Sequence, residues 1–537
     1  MNAPLLRLIA VLIPLSFGLG VTLVTLRRPF QPAFVAAHGA LGLSVLVAIA
    51  GVAGPPGAAA PGDLPSAAAR LDHLVRLDGV TYVMLILVSF IAVVIVRYSQ
   101  TYLEGDPGQV RYSRALLATL AAVTVLVLSA NLLVIALAWM ATSVALHQLL
   151  TFYRDRRPAI VAAHKKFLVS RLADACMLGA IVLIGLTVGG LDLDVMNAWA
   201  AAHEAMPPTM QLAAVLLVVG VSLKSAQLPF HGWLIQVMEA PTPVSALLHA
   251  GVVNIGGFVM IRLAPFMARA PIAQTLLVVI GTITAVVAAL VMTTRVSVKV
   301  ALAWSTCAQM GFMLIECGVG AWHLALLHLV AHSLYKAHAF LSAGTAVNVW
   351  RVQSIAESRR PPLALTRMVA GAALVFGAVA ASVAAAHALL SRNAAASATL
   401  APFTIVLGLS LSPLVVRTFD GGVGSLLRVV LRGAAVGALY FGGHTVAGHV
   451  MSVPQGPARP LAWIVVIAGF LLLFAVEVTL ACRPEGRLAR VIQPRLFAGL
   501  YLDELFTRLT FRIWPPRLHE LAKVERARCL ARTLEFR

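Results

Sequence analysis

Three groups of residues could move charge through an otherwise apolar chain. The first is centred on Lys224, which closes the run MQLAAVLLVVGVSLK (210–224) and precedes Pro229, Pro241 and Pro243. An ammonium carried into hydrocarbon costs about 2.5–3.5 kcal/mol on insertion scales, so it belongs in a protein interior or a water-filled path. Prolines close behind it predict a broken helix near 224–241. Irregular backbone at membrane depth survives only where it is buried in protein or lines a cavity. His249 lies about a turn into the span after Pro243, and both a hydrogen-bonding role in packing and a functional role stay open.

The second group is His328, His332 and Lys336 in LALLHLVAHSLYKAHAFLSAG, 324–344. A spacing of four puts all three on one helix face, and imidazoles with an ammonium suit a hydrated proton path. His338 falls off that stripe. A zinc reading of HxxxH lacks a third ligand and sets an ammonium beside a cation, so no metal site is expected. Helix–helix hydrogen bonding, Ser333 included, is the structural alternative. Lys299, Ser305, Thr306 and Gln309 in the preceding span could wet the same path, whereas Glu316, near that span's outer end, reads as interfacial. The third group is Arg171 and Asp174, three apart and so on one helix face. They form a structural ion pair, or Asp174 faces Lys224 and tunes its proton affinity.

The elements that carry these groups are membrane helices. Of 537 residues 60% are hydrophobic and 12% charged, against about 25% charged in soluble domains. Apolar stretches of roughly 17–25 residues suggest about fifteen spans: 4–26, 32–54, 79–97, 113–129, 131–153, 165–189, 209–228, 243–264, 271–293, 297–318, 320–347, 364–390, 397–416, 426–450 and 461–481. The expected fold is all-α and polytopic. Residues 1–110 would be N-terminal helices, 111–264 and 271–417 two repeats, 418–482 C-terminal helices and 483–537 a basic tail.

The tail's piece 496–511 reads as an amphipathic helix bracketed by Pro494 and Pro515, and 55–78 as an exposed loop. The formal net charge of +20 sits mostly in loops and tail. Its alternation puts the N-terminus outside and the tail in the cytoplasm. Nucleic acid is a poor explanation for it, since no soluble basic domain exists to bind any. Five scattered cysteines form no CxxC pair or ligand cluster. No nucleophile, metal cluster or phosphate loop points to catalysis in this chain.

The blocks KSAQLPFHGWL…EAPTPVSALLHA, ALLHLVAHSLYKAHAFLSAG and KVALAWSTCAQMGFM, with RLDGVTYVMLILV and YLEG, resemble the antiporter-like membrane subunits of respiratory complex I and of multisubunit cation/proton antiporters. The resemblance runs from about 77 to 350. It implies two inverted five-helix repeats, each with a broken helix, around a hydrated polar axis. Lys224 would be the first-repeat channel lysine, His249 its neighbour toward the middle and Lys336 the central lysine, with His328 and His332 alongside.

Three features depart from that pattern. Met140 follows Trp139 where the family has a glutamate, the expected span 364–390 carries no proline or lysine at depth, and no long lateral amphipathic helix is expected after the tail. VALHQLLTFYRDRRPAIVAAHKKFLVSRLADACML is similar instead to the membrane subunits of bacterial Dab inorganic-carbon accumulation complexes. That resemblance implies a DabA-like zinc partner related to β-carbonic anhydrases and a place in the bacterial inner membrane. It also implies a cation gradient, protons or alternatively sodium, driving CO2-to-bicarbonate conversion. Cofactors in this chain itself would be none. The alternatives are an ion-pumping subunit of a complex I-like or Mrp-type assembly, and a scaffold that conducts nothing.

Overall fold

Long apolar runs with few charges leave the backbone one way to satisfy its own hydrogen bonds in lipid, and the chain folds accordingly into helices. The computed structural model describes residues 3–53, 73–203, 205–345, 365–390, 403–406, 409, 423–451 and 460–515. In chain order the first helices are α1 Ala3–Leu23, α2 Gln31–Ala53, α3 Gly79–Tyr102, α4 Gln109–Leu128, α5 Leu132–Leu150 and α6 Arg157–Val188. Next come the short α7 Leu193–Ala202, α8 Pro208–Lys224, α9 Gly232–Gln236, α10 Thr242–Leu247, α11 Ile255–Arg262 and α12 Ala264–Ala268. Then follow α13 Pro271–Met292, α14 Val298–Gly318, α15 Trp322–Leu341, α16 Leu365–Leu390, α17 Val423–Val450 and α18 Pro460–Cys482. The last two are α19 Arg487–Phe497 and α20 Leu502–Ile513. Among the described residues there is no strand, only an isolated bridge between Val75 and Ser129.

Among the described residues ten helical segments are long and apolar enough to cross a membrane, α10–α11 counting as one. Helices stand at the expected spans from 4–26 to 364–390, and at 426–450 and 461–481. The expected span 397–416 lies largely outside the described residues, and the full count of fifteen is not established. On α1 a row of leucines (Leu5, Leu8, Leu12, Leu15, Leu19) is exposed, as suits a surface solvated by lipid. α15 is not among the ten because its His–Lys stripe dilutes its apolar character.

The chain forms two compact units that alternate along the sequence: 1–178 with 229–252 and 501–537, and 179–228 with 253–500. Within the first, α1, α2, α3, α4 and α5 pack pairwise. α3 starts at Asp78, whose carboxylate accepts from the Thr81 amide at 2.9 Å and from Arg76 Nε at 2.8 Å. Part of the expected loop 55–78 is therefore a helix cap; residues 54–72 lie outside the described ones. Within the second unit, α13 and α14 cross closely. A side chain at Gly281 would come within 2.6 Å of the Gly311 carbonyl, the small-residue contact by which membrane helices approach.

The break after Lys224 is not made by the prolines. α8 ends at Lys224, Ser225 caps it, and Ala226 turns left-handed at φ 53°. The Gln227 amide then donates to the Ser222 carbonyl at 3.1 Å, closing the wrapped helix end that usually carries glycine. Pro229 lies in the exposed turn beyond it. Pro241 precedes α10 and Pro243 sits in its first turn, where no amide is needed, so they start a helix rather than break one. Replacing Ala226 with Gly is therefore expected to stabilise the protein by about 1 kcal/mol by relieving the left-handed strain. Thermal unfolding in detergent measures it; a lower melting point would mean that the methyl group contributes packing that outweighs the strain.

The tail also differs from expectation. Pro494 lies inside α19, and the break falls at Gly499–Tyr501, where three successive residues have positive φ. The amphipathic piece is thus divided between α19 and α20.

Candidate functional site

In the second unit α11 holds the polar elements together. A side chain at Gly256 would collide with Ser225, directly after Lys224, and one at Gly257 with Met313 of α14. α11 thus packs closely on the end of α8 and on α14. Asn254, at the head of α11, donates from Nδ2 to Ser333 Oγ on α15 at 2.7 Å, and the Ser333 hydroxyl donates to the Leu329 carbonyl at 2.7 Å. Lys224 is buried at this junction with 8% of its surface exposed.

The stripe on α15 faces the interior as its spacing predicts. Lys336 is fully buried, and its Nζ donates to Ser305 Oγ at 2.7 Å and to the Leu302 carbonyl at 3.2 Å, both on α14. His332 is buried one turn earlier, and its ring stands 5.9 Å from that of His328. His328 Nδ1 in turn donates to Glu316 Oε2 on α14 at 2.8 Å. Glu316 is 4% exposed. The expectation of an interfacial carboxylate is therefore overturned: an imidazole on the next helix gives Glu316 a partner inside the protein. Ser305 joins the stripe, while Gln309 and His338 are exposed and Lys299 is half-buried.

The first unit has its own buried polar set. Asp174 is buried and takes Arg171 Nη2 at 2.7 Å on its own helix, the ion pair that the spacing predicts. Asp174 and Lys224 belong to different units. His249 is fully buried in a wide i→i+5 turn, Leu248–Val252, between α10 and α11; such turns recur at functional sites. Lys166 of α6 donates to both the carbonyl and the hydroxyl of Ser143 on α5, at 2.9 and 2.5 Å, one turn beyond Met140. Lys165 is fully buried beside it and pairs with Asp503 of α20 at 2.9 Å. Gln236 Nε2 donates to the other Asp503 oxygen at 2.7 Å.

Sequence reasoning missed Asn254, Lys165, Lys166 and Asp503, and it misplaced Glu316. Only the doubled lysine in an apolar stretch hinted at any of them. Among the described residues no three His, Cys, Asp or Glu side chains gather as a metal ion would require.

Apolar spans, a helix broken beside a lysine and a His–His–Lys stripe facing the interior define a polytopic membrane protein with charge-bearing groups inside it. The family model described as "NADH:quinone oxidoreductase/Mrp antiporter, TM" matches residues 129–387, and that of "NADH-Ubiquinone oxidoreductase (complex I), chain 5 N-terminus" matches 64–113. The solved Mrp complex from a Dietzia species contains a chain with the same fold at TM-score 0.54 and 22% identity, covering 98% of this chain and 59% of that one. "Probable inorganic carbon transporter subunit DabB2" of Halothiobacillus neapolitanus is 40% identical over 86% of this chain and 84% of its own. "Probable inorganic carbon transporter subunit DabB" of Hydrogenovibrio crunogenus is 40% identical over 83% of this chain and 84% of its own. The chain belongs to this DabB family of antiporter-like membrane proteins.

Proposed function

We propose that the chain conducts protons as the energy-coupling membrane subunit of an inorganic-carbon transporter. The observation that carries the reading is the set of buried Glu316, His332 and Lys336 with half-buried His328 and Ser305, inside a chain of membrane helices, in which Glu316 meets His328, His328 neighbours His332, and Lys336 meets Ser305. Titratable groups are rarely placed there without a transport role. Lys224, at the end of its broken helix, exchanges a proton in the same way. His249 and Asp174, with Arg171, are further candidates within their own unit. CO2 hydration itself is assigned to a zinc-containing DabA-like partner, and the gradient makes it one-way. In this reading the protein sits in a bacterial inner membrane with its N-terminus outside and its tail in the cytoplasm.

Replacing Lys224 with Ala should abolish growth rescue of a host short of bicarbonate while the complex still assembles. Full rescue by that variant would sink the proposal. The absent glutamate at Met140 favours a second reading, a scaffold that conducts nothing. Carbon accumulation that survives an uncoupler would select it. Zinc in the co-purified partner separates the carbon role from that of an ion-pumping subunit of an Mrp-type assembly.

A further inference from the structure

Glu316 has no place in the stripe that the sequence pattern defines, and its surroundings are unusual for a structural carboxylate. It lies in the last turn of α14, three residues before the tight connection Val319–Ala321 to α15. It is buried, yet its hydrogen-bonding partner is an imidazole rather than an arginine or lysine. His328 Nε2, on the far side of that ring, is buried with no hydrogen-bond partner among the described residues, and the ring neighbours His332.

More titratable groups continue beyond Glu316 at the same end of α15. His323, in the first turn of α15, donates from Nε2 to the Met451 carbonyl at 3.2 Å, and its ring stands 5.9 Å from that of His444. The neighbouring Cys317 is buried beside Glu316.

We infer that Glu316 is a proton-carrying residue of the pathway, placed between His328 and the end of the membrane domain formed by the α14–α15 connection. This rests on the proton-conducting reading above. The transfer balances simply. A proton arrives at His328 Nε2 from the His332 side, forming an N–H bond. The Nδ1–H bond then breaks, and its proton goes to Glu316 Oε2. Imidazolium and carboxylate become neutral imidazole and carboxylic acid. The acid then releases its proton toward the α14–α15 end, which restores the carboxylate. Rotation of the neutral His328 ring returns an N–H to the carboxylate and a free nitrogen to the His332 side. Reversed, the same steps carry a proton inward. Nδ1 faces the carboxylate while Nε2 lies on the opposite side of the ring, so the imidazole can take up a proton on one side and give one up on the other.

The test is proton flux into vesicles containing the purified complex, measured with an internal pH dye, for wild type, Glu316→Gln and Glu316→Asp. The Gln variant keeps an acceptor for His328 but binds no proton, and its flux is expected to fall about 100-fold, the size of a lost proton-transfer group. The Asp variant, a shorter acid, should recover part of that flux with a displaced pH profile. A merely structural carboxylate would give the reverse order, Gln being the closer match in shape. Glu316→Gln conducting at the wild-type rate, or Gln exceeding Asp, overturns the assignment of Glu316 alone. A wild-type complex without proton flux overturns the proton-conducting reading as well. Size-exclusion chromatography of each variant establishes that the complex is intact.

Discussion

Lys336→Ala is expected to lower proton flux about 100-fold or more, the scale of a positioned proton-transfer group, while leaving the complex assembled. Both halves of that expectation follow from its surroundings. The side chain is fully buried, and among the described residues both of its hydrogen-bond acceptors, Ser305 Oγ and the Leu302 carbonyl, are uncharged. Bonds from a charged donor contribute about 1.5–3 kcal/mol each, against several kcal/mol for taking an ammonium out of water. The group therefore adds little net stability, and its removal leaves no buried countercharge behind. Ser305 can turn its hydroxyl to a backbone carbonyl of its own helix.

Ser305→Ala should then give an intermediate flux, because it removes one of the acceptors that hold the protonated form without removing the carrier. Flux measured in vesicles for both variants checks the pair. Wild-type flux in Lys336→Ala would mean that protons bypass α15. Equal losses in the two variants would mean that Ser305 carries protons rather than holding Lys336.

The stripe on α15 was legible because a helix turns side chains four apart onto one face whatever surrounds it. The helices themselves were equally legible, since apolar length alone demands them in lipid. What sequence could not show was burial decided by a partner elsewhere. Glu316 looks interfacial by position and is buried because His328, twelve residues later, returns beside it. Lys165 and Asp503 are separated by 338 residues and gave no sign of each other. The backbone break was misattributed for a local reason. Proline advertises a helix break, but Ala226 makes this one in a conformation that favours glycine. The absence of a glutamate at Met140 was visible; the Lys166–Ser143 contact one turn further along α5 was not, because an ammonium on a serine has no characteristic spacing.

Asp503→Ala should release the tail helix and destabilise the protein by about 3 kcal/mol, the lower end of what breaking a buried ion pair costs. The lower end applies because Asp503 is 26% exposed while Lys165 is 0% exposed. Three contacts converge on this one carboxylate. Lys165 Nζ and Gln236 Nε2 each donate to it, and a side chain at Gly232 would strike it. Phe506, one turn on, meets the Phe230 ring edge-on at 5.6 Å, and Lys165 Nζ lies 5.6 Å from the Phe506 ring centre. α20 is therefore held to α6 and to the segment around α9, which follows the break after Lys224. The decisive comparison is with Lys165→Met/Asp503→Ala. Most of the loss in the single variant comes from a buried cation left without its countercharge, so removing both charges should recover about 2 kcal/mol of it. Melting temperatures in detergent and the rate of limited proteolysis within α20 measure both. If the double variant is no more stable than Asp503→Ala, the Phe230–Phe506 packing and the Gln236 bond hold the tail, and the ion pair is incidental to it.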